Sequence, residues 1–242
     1  MMIKIEGIVL KIQDYREKDA LVWILTREEI FTVRARGVQN STSKLRQVCQ
    51  PFSYCEWIID KKENGLSLMI QGQAKQYFYL VNEDLVIQSL CFVISDMLSH
   101  TKIKPSIYDL FMMFLTKIQC KDNEVYGYCL YVIKEILIVD GIQPYVNGCI
   151  RCHNKKGIET LSFKDGGFLC HECNQGTQKM SKDELLKVYS LFVSDFSQHE
   201  RLFQLYTFTL NDCLYWIDWF EYHTQFRLKS LSFLKKVVEM SL

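Results

Sequence analysis

The sequence predicts an α+β chain of more than one domain, in which a small closed β-barrel precedes a helical domain interrupted by a cysteine-rich segment. Three observations predict it. β-Branched runs divided by turn residues fill the first 80 positions, and apolar spacing becomes helical from Asn82. Glycines and paired cysteines then break that spacing between Val146 and Gln175. The boundaries drawn on this basis are a barrel over 1–80, a first helical part over 81–145, an insert over 146–176 and a second helical part over 177–242.

Five strands are expected, over 3–12, 20–26, 30–36, 52–60 and 66–74. The third alternates, with Phe31, Val33 and Ala35 on one face and Thr32, Arg34 and Arg36 on the other, so two arginines share a direction. The last two strands are joined through Asn64 and Gly65, a pair that favours a tight reversal. Closure into a barrel removes the exposed edges that short antiparallel strands otherwise present.

Helical spacing begins with Val86, Leu90, Val93, Ile94, Met97 and Leu98, for which Asn82 is the expected N-cap. Further helices are expected over 106–119 and 124–140, the latter closed by Gly141 with Pro144 beyond. Helix resumes at Ser181, which with Glu184 can form a capping box, and continues near 183–197, 209–223 and 226–239.

The chemical signal is Cys149 and Cys152 followed, after 17 residues, by Cys170 and Cys173. Each C-x2-C pair places two thiolates on one side of a tight knuckle, and a hairpin joining the knuckles gives a tetrahedral all-sulfur cage suited to zinc. The competing reading is a redox couple or a chance spacing. Residues 161–163 and 166–169 are expected as the hairpin arms. His153 and His171 adjoin the cysteines, but four sulfurs already complete a shell with no open position, which makes one Zn2+ per chain structural. Its contribution is to folding, because an insert of about 30 residues has too little core to order itself.

Ten cysteines do not read as a secreted disulfide scaffold, since the N-terminus lacks a signal-peptide layout and their scatter is uneven. Cys49, Cys55, Cys91, Cys120, Cys129 and Cys213 are expected to pack as small buried hydrophobes. No run of eighteen uncharged apolar residues occurs, and the expected location is cytoplasmic. No P-loop, dinucleotide fingerprint, zinc-protease helix or nucleophile elbow is present, and His100, His199 and His223 stand isolated, so no enzyme activity is expected.

The formal charge of +1 conceals a mild asymmetry, because residues 1–80 hold 12 Lys and Arg against 9 Asp and Glu. Residues 30–55 carry Arg34, Arg36, Lys44 and Arg46 with no acid at all, and Lys11 and Arg16 decorate the first hairpin. Cations that track phosphates beside aromatic faces that stack bases are what single-strand binders of this barrel class need. These six are the DNA-binding candidates, with Tyr15, Tyr54 and Trp57 as stacking candidates that also suit core positions.

Residues 7–11, Asp14 and Tyr15, residues 17–19 and 26–29, Ala35 to Gly37, Leu45 with Arg46, and residues 50–53 resemble the opening of the bacterial RecO family of recombination mediators. Phe163, Gly166 and Gly167, and later Arg227, Lys229, Ser230, Phe233 and Leu234, resemble its second half. The resemblance implies that the barrel is an OB-fold and that the chain binds and anneals single-stranded DNA. It also implies partners: RecR, the C-terminal tail of single-strand-binding protein, and indirectly RecA, which is loaded onto covered DNA. The barrel is less basic than the family pattern. The alternative from another class is a protein-interaction adaptor with a structural zinc and incidental DNA contact.

Overall fold

The computed structural model describes residues 1–240. The last two residues of the expected second helical part therefore lie outside the described residues. The described residues divide into two compact units, residues 1–122 with 228–240, and residues 123–227.

In the first unit, β1 (Met2–Tyr15), β2 (Asp19–Leu25), β3 (Ile30–Ala35), β4 (Ser53–Asp60) and β5 (Ser67–Tyr77) close into a barrel in the order β1-β2-β3-β5-β4. All pairings are antiparallel except β3 with β5, where Val33, Arg34 and Ala35 face Ser67, Leu68 and Met69 in parallel. The periodicity works as the alternation requires. In β4, Ser53, Cys55, Trp57 and Ile59 are buried while the residues between them are half-exposed. Val9, Val22, Ile24, Val33, Trp57 and Met69 belong to one apolar cluster. Gly72 makes room for the largest of these side chains: a Cβ there would stand 2.5 Å from Cδ1 of Trp57.

The same unit contains α1 (Leu85–Leu98), α2 (Pro105–Gln119) and, returning from the far end of the chain, α7 (Lys229–Met240). The N-cap of α1 is Asp84 and not the expected Asn82, because the Asp84 carboxylate accepts from Val86 and Ile87 N–H groups at 2.8 and 3.1 Å. Asn82 instead accepts a bond from the Gln88 side chain. The Asp96 carboxylate on α1 accepts from both the backbone N–H and the hydroxyl of Ser230, holding the start of α7. Cys120 departs from the expected burial: it follows the last residue of α2 and is exposed, whereas Cys49, Cys55, Cys91, Cys129 and Cys213 are buried.

The second unit comprises α3 (Val125–Val139), the hairpin β6 (Ile158–Ser162) and β7 (Gly167–Cys170), and then α4 (Lys182–Val193), α5 (His199–Leu205) and α6 (Leu210–Thr224). The capping box expected at Ser181 is present, with Glu184 N–H donating to Ser181 Oγ at 3.2 Å and Ser181 N–H to the Glu184 carboxylate at 2.7 Å. The helix expected through residue 197 stops at Val193, and α5, which had no sequence forecast, follows a short 3₁₀ turn, Phe196–Gln198. Among the described residues no helix is long and apolar enough to cross a membrane.

Candidate metal centre and nucleic-acid surface

Two knuckles bring four sulfurs together. Gly148 has φ +149°, and a Cβ there would meet the carbonyl oxygens of His153 and Asn154 at 3.2 Å, so the chain can turn into Cys149 only without a side chain. Cys149 N–H then donates to Asn154 O, and His153 N–H to Cys149 O, each at 2.8 Å. The second knuckle continues directly from β7: the N–H groups of Cys173 and Asn174 both donate to Cys170 O, at 3.1 and 2.9 Å. Arg151 joins the two, since its guanidinium donates to Asp165 at 2.8 Å and to Cys173 O at 3.1 Å.

The Sγ atoms of Cys149, Cys152, Cys170 and Cys173 all lie within 4.8 Å of one another, with Cys152 and Cys170 at 3.6 Å. A tetrahedron with metal–sulfur bonds of about 2.3 Å has sulfur–sulfur edges of about 3.8 Å, so this donor set fits such an ion. The electrostatics agree. Burial pushes the Cys149 thiol up, but the N–H groups of Cys152, Cys170 and Arg151 aimed at its sulfur outweigh that and hold it down to about 6. Cys173 is pushed up to about 12, first by the Cys152 sulfur beside it and then by burial. Four such neighbours become thiolates together only around a cation. His153 and His171 are both exposed and lie outside the four-sulfur group.

The hairpin that carries this centre is seated on α6. The Phe163 ring lies 4.9 Å from Trp219 and 5.2 Å from Tyr215, and Trp219 Nε1 donates to Ile142 O at 2.7 Å. The sulfur cluster and these aromatic contacts together define how the insert meets its helices.

On the barrel the six cationic candidates fall into different situations. Lys11, Arg16, Arg36, Lys44 and Arg46 are exposed. Arg34 is not equivalent to Arg36: it is half-buried, its Nε donates to Asp19 at 2.6 Å, and a second guanidinium nitrogen reaches the same carboxylate. Arg36 lies just past the end of β3, so the expected shared direction of the two arginines is replaced by one committed and one exposed side chain. The turn has priority because Asp19 must also accept from Gly37 N–H, at 2.9 Å. Lys44 and Arg46 stand on a 3₁₀ helix, Lys44–Cys49, in the interval between the expected third and fourth strands.

Of the aromatic candidates, Tyr15 is half-buried, with Arg16 and Arg34 at 5.2 and 5.7 Å from its ring centre. Tyr54 is likewise half-buried, with Lys75 at 5.6 Å. Trp57 is 1% exposed inside the barrel and donates to Val48 O at 3.1 Å, which makes it core and removes it from any base-stacking role. Sequence reading passed over Tyr77 and Tyr79, whose rings stack 5.2 Å apart. The aromatic run of Tyr77, Phe78 and Tyr79, at the end of β5 and just past it, was the available signal.

An OB-like β-barrel followed by helices, with four cysteines gathered in the C-terminal region where they could hold a metal ion, defines an α+β protein of barrel-plus-helical-domain class. Two family models match in order: "Recombination protein O N terminal" over residues 1–78 and "Recombination protein O C terminal" over residues 85–183. The chain belongs to the RecO family. It is 31% identical over 180 residues to a DNA repair protein RecO of Bacillus pumilus, an alignment covering 72% of this chain and 69% of the relative. The corresponding Bacillus subtilis protein is 30% identical over 179 residues, with the same coverage. One from Syntrophomonas wolfei is 27% identical over 209 residues, covering 84% of this chain and 83% of the relative. Membership of this family supports a role in DNA repair and recombination.

Proposed function

We propose that the protein is a non-enzymatic recombination mediator that binds and anneals single-stranded DNA. With a RecR-like partner, it would help load RecA onto DNA covered by single-strand-binding protein, engaging that protein's C-terminal tail. The observation that carries the reading is the acid-free basic segment of the barrel, with Arg36, Lys44 and Arg46 exposed, in a chain of the RecO family. Lys11 and Arg16 extend this cationic surface, and Arg34 supports it through Asp19. Phosphate contacts of this kind bind without regard to base sequence and weaken steeply with salt.

Cys149, Cys152, Cys170 and Cys173 hold one structural Zn2+. When bound, the ion would neutralise crowded thiolates and cross-link the two knuckles; the chain's own residues supply a complete tetrahedral shell that offers substrate no place. The chain's domains are a DNA-binding barrel over 1–80, a helical domain in two parts over 81–145 and 177–242, and a zinc-binding insert over 146–176. The chain acts in the bacterial cytoplasm, at the nucleoid.

A strand-annealing assay with complementary oligonucleotides, combined with metal analysis, tests the whole reading. Absence of both binding and annealing in dilute buffer overturns it. The apolar face of α4, where Leu186, Tyr189 and Val193 are exposed, favours a second reading as a protein-interaction adaptor. That reading is preferred if a tail peptide of single-strand-binding protein binds while oligonucleotides do not.

A further inference from the structure

We infer that a nucleobase-stacking subsite lies outside the barrel's cationic first hairpin, in the groove between the Lys44–Cys49 helix, the turn into β4 and the exit from β5. It rests on the single-strand reading and adds the chemical class of what this groove takes: an unpaired base with its phosphate. The groove encloses about 500 Å³ and is lined by Arg46, Gln47, Gln50, Phe52, Tyr77 and Tyr79 among others. That volume lies in the usual range of small-ligand sites, roughly 300–1,000 Å³.

The argument begins with Tyr79. It is 61% exposed although it is a large aromatic residue, and one of its faces is already covered, since the Tyr77 ring stacks on it 5.2 Å away with an interplanar angle of 25°. The exposed part is therefore the outer face and edge of a ring that a second ring holds in place. A flat, backed aromatic surface is what an unstacked base accepts, whatever its identity.

Charge is supplied by another residue that lines the same groove. Arg46 is exposed, and among the described residues no carboxylate stands within ion-pair distance of it, in contrast to Arg34, which Asp19 occupies. The Gln50 side chain donates to Arg46 O at 3.0 Å, bracing the helix that presents this guanidinium. A phosphate reaching Arg46 from a base stacked on Tyr79 meets no competing acid among the groove's lining residues.

A third lining residue is held in an uncommon backbone conformation. Phe52 has φ +59°, a left-handed value that a bulky side chain adopts only where its surroundings impose it. Here they do: its N–H donates to Val9 O at 2.7 Å, and its ring is buried 4.9 Å from that of Phe92. Gln50 and Pro51, immediately before this reversal, line the same groove.

The test compares two labelled strands of equal length by fluorescence anisotropy, oligothymidylate and an abasic phosphodiester, on the full chain. Tyr79→Ala is expected to weaken oligothymidylate about ten-fold, equivalent to about 1.4 kcal/mol, and to leave the abasic strand unchanged. Tyr79→Phe, which keeps the π-face, retains the parent affinity for both. Should Tyr79→Ala lose helical or sheet content by circular dichroism, Tyr79→Leu, which keeps apolar bulk without a π-face, makes the same comparison. If the unaltered chain binds both strands and removing the ring changes neither, or lowers both equally, the subsite is overturned while the single-strand reading stands. If the unaltered chain binds neither strand, that reading fails and the subsite with it.

Discussion

Asp19 and Arg34 form a half-buried ion pair between the start of β2 and the body of β3, in which Arg34 Nε donates to one carboxylate oxygen at 2.6 Å while the other accepts from Gly37 N–H at 2.9 Å. The pair ties the first hairpin to the turn after β3, so a residue read as a DNA contact also holds the barrel end together. Truncation of Arg34 leaves Asp19 short of a partner, and Arg34→Ala is expected to lower stability by about 1 kcal/mol in denaturant titration. Arg36→Ala, at an exposed position, is expected to leave stability unchanged.

The same pair sets a pH dependence. The Gly37 N–H first, and then Arg34, hold the Asp19 carboxyl below its ordinary value of 3.8. A depressed acid stabilises the folded state above the unfolded value and loses that contribution as pH falls through the folded one. The stability gap between the parent and Asp19→Asn is therefore expected to be full above about pH 4 and to close below it, as followed by thermal unfolding across that range.

Metal removal should act on the second compact unit. If the proposed zinc is bound, Cys149→Ser or Cys170→Ser is expected to abolish it and to reduce helical content or soluble yield, because the hairpin loses its cross-link while its aromatic contacts to α6 remain. Full stability with no metal bound, measured by elemental analysis beside circular dichroism, would refute the structural role.

For DNA, Lys44→Ala and Arg46→Ala are each expected to weaken binding of single strands of any sequence and to flatten the plot of log K against log salt by about 0.7 for every phosphate no longer neutralised. Anisotropy titrations at several salt concentrations read both effects. An unchanged slope for both variants would place the backbone-binding surface elsewhere.

Gly72→Ala is expected to destabilise the barrel by about 1–3 kcal/mol, since the added methyl carbon would stand 2.5 Å from Trp57 and 2.9 Å from a Val48 methyl group, both in the packed interior. Chemical denaturation of the purified variant measures it.

Much of this was readable in advance. The strands, the hairpin arms, the Ser181 cap and the cysteine quartet follow from local rules: period-two burial, turn chemistry, a capping box four residues long, and ligand spacing within one hairpin. Departures came where a local pattern had more than one solution. Asn82 and Asp84 are both competent caps, and hydrogen bonding to Val86 and Ile87 N–H selected Asp84. Cys120 lies beside an apolar helical run, yet helix α2 ends just before it and turns it outward.

What the sequence determined by itself was the order of elements, a barrel ahead of interrupted helices, and the grouping of the four cysteines, because these depend on neighbours a few residues apart or on one short hairpin. Only the tertiary structure decided which arginine is exposed, that Trp57 fills the barrel, that α7 returns to pack with α1, and that the stacked Tyr77 and Tyr79 line one groove with Arg46. Each of those outcomes is a meeting of side chains distant in sequence or a competition for burial, and free energy of that kind exists only once the chain has closed on itself.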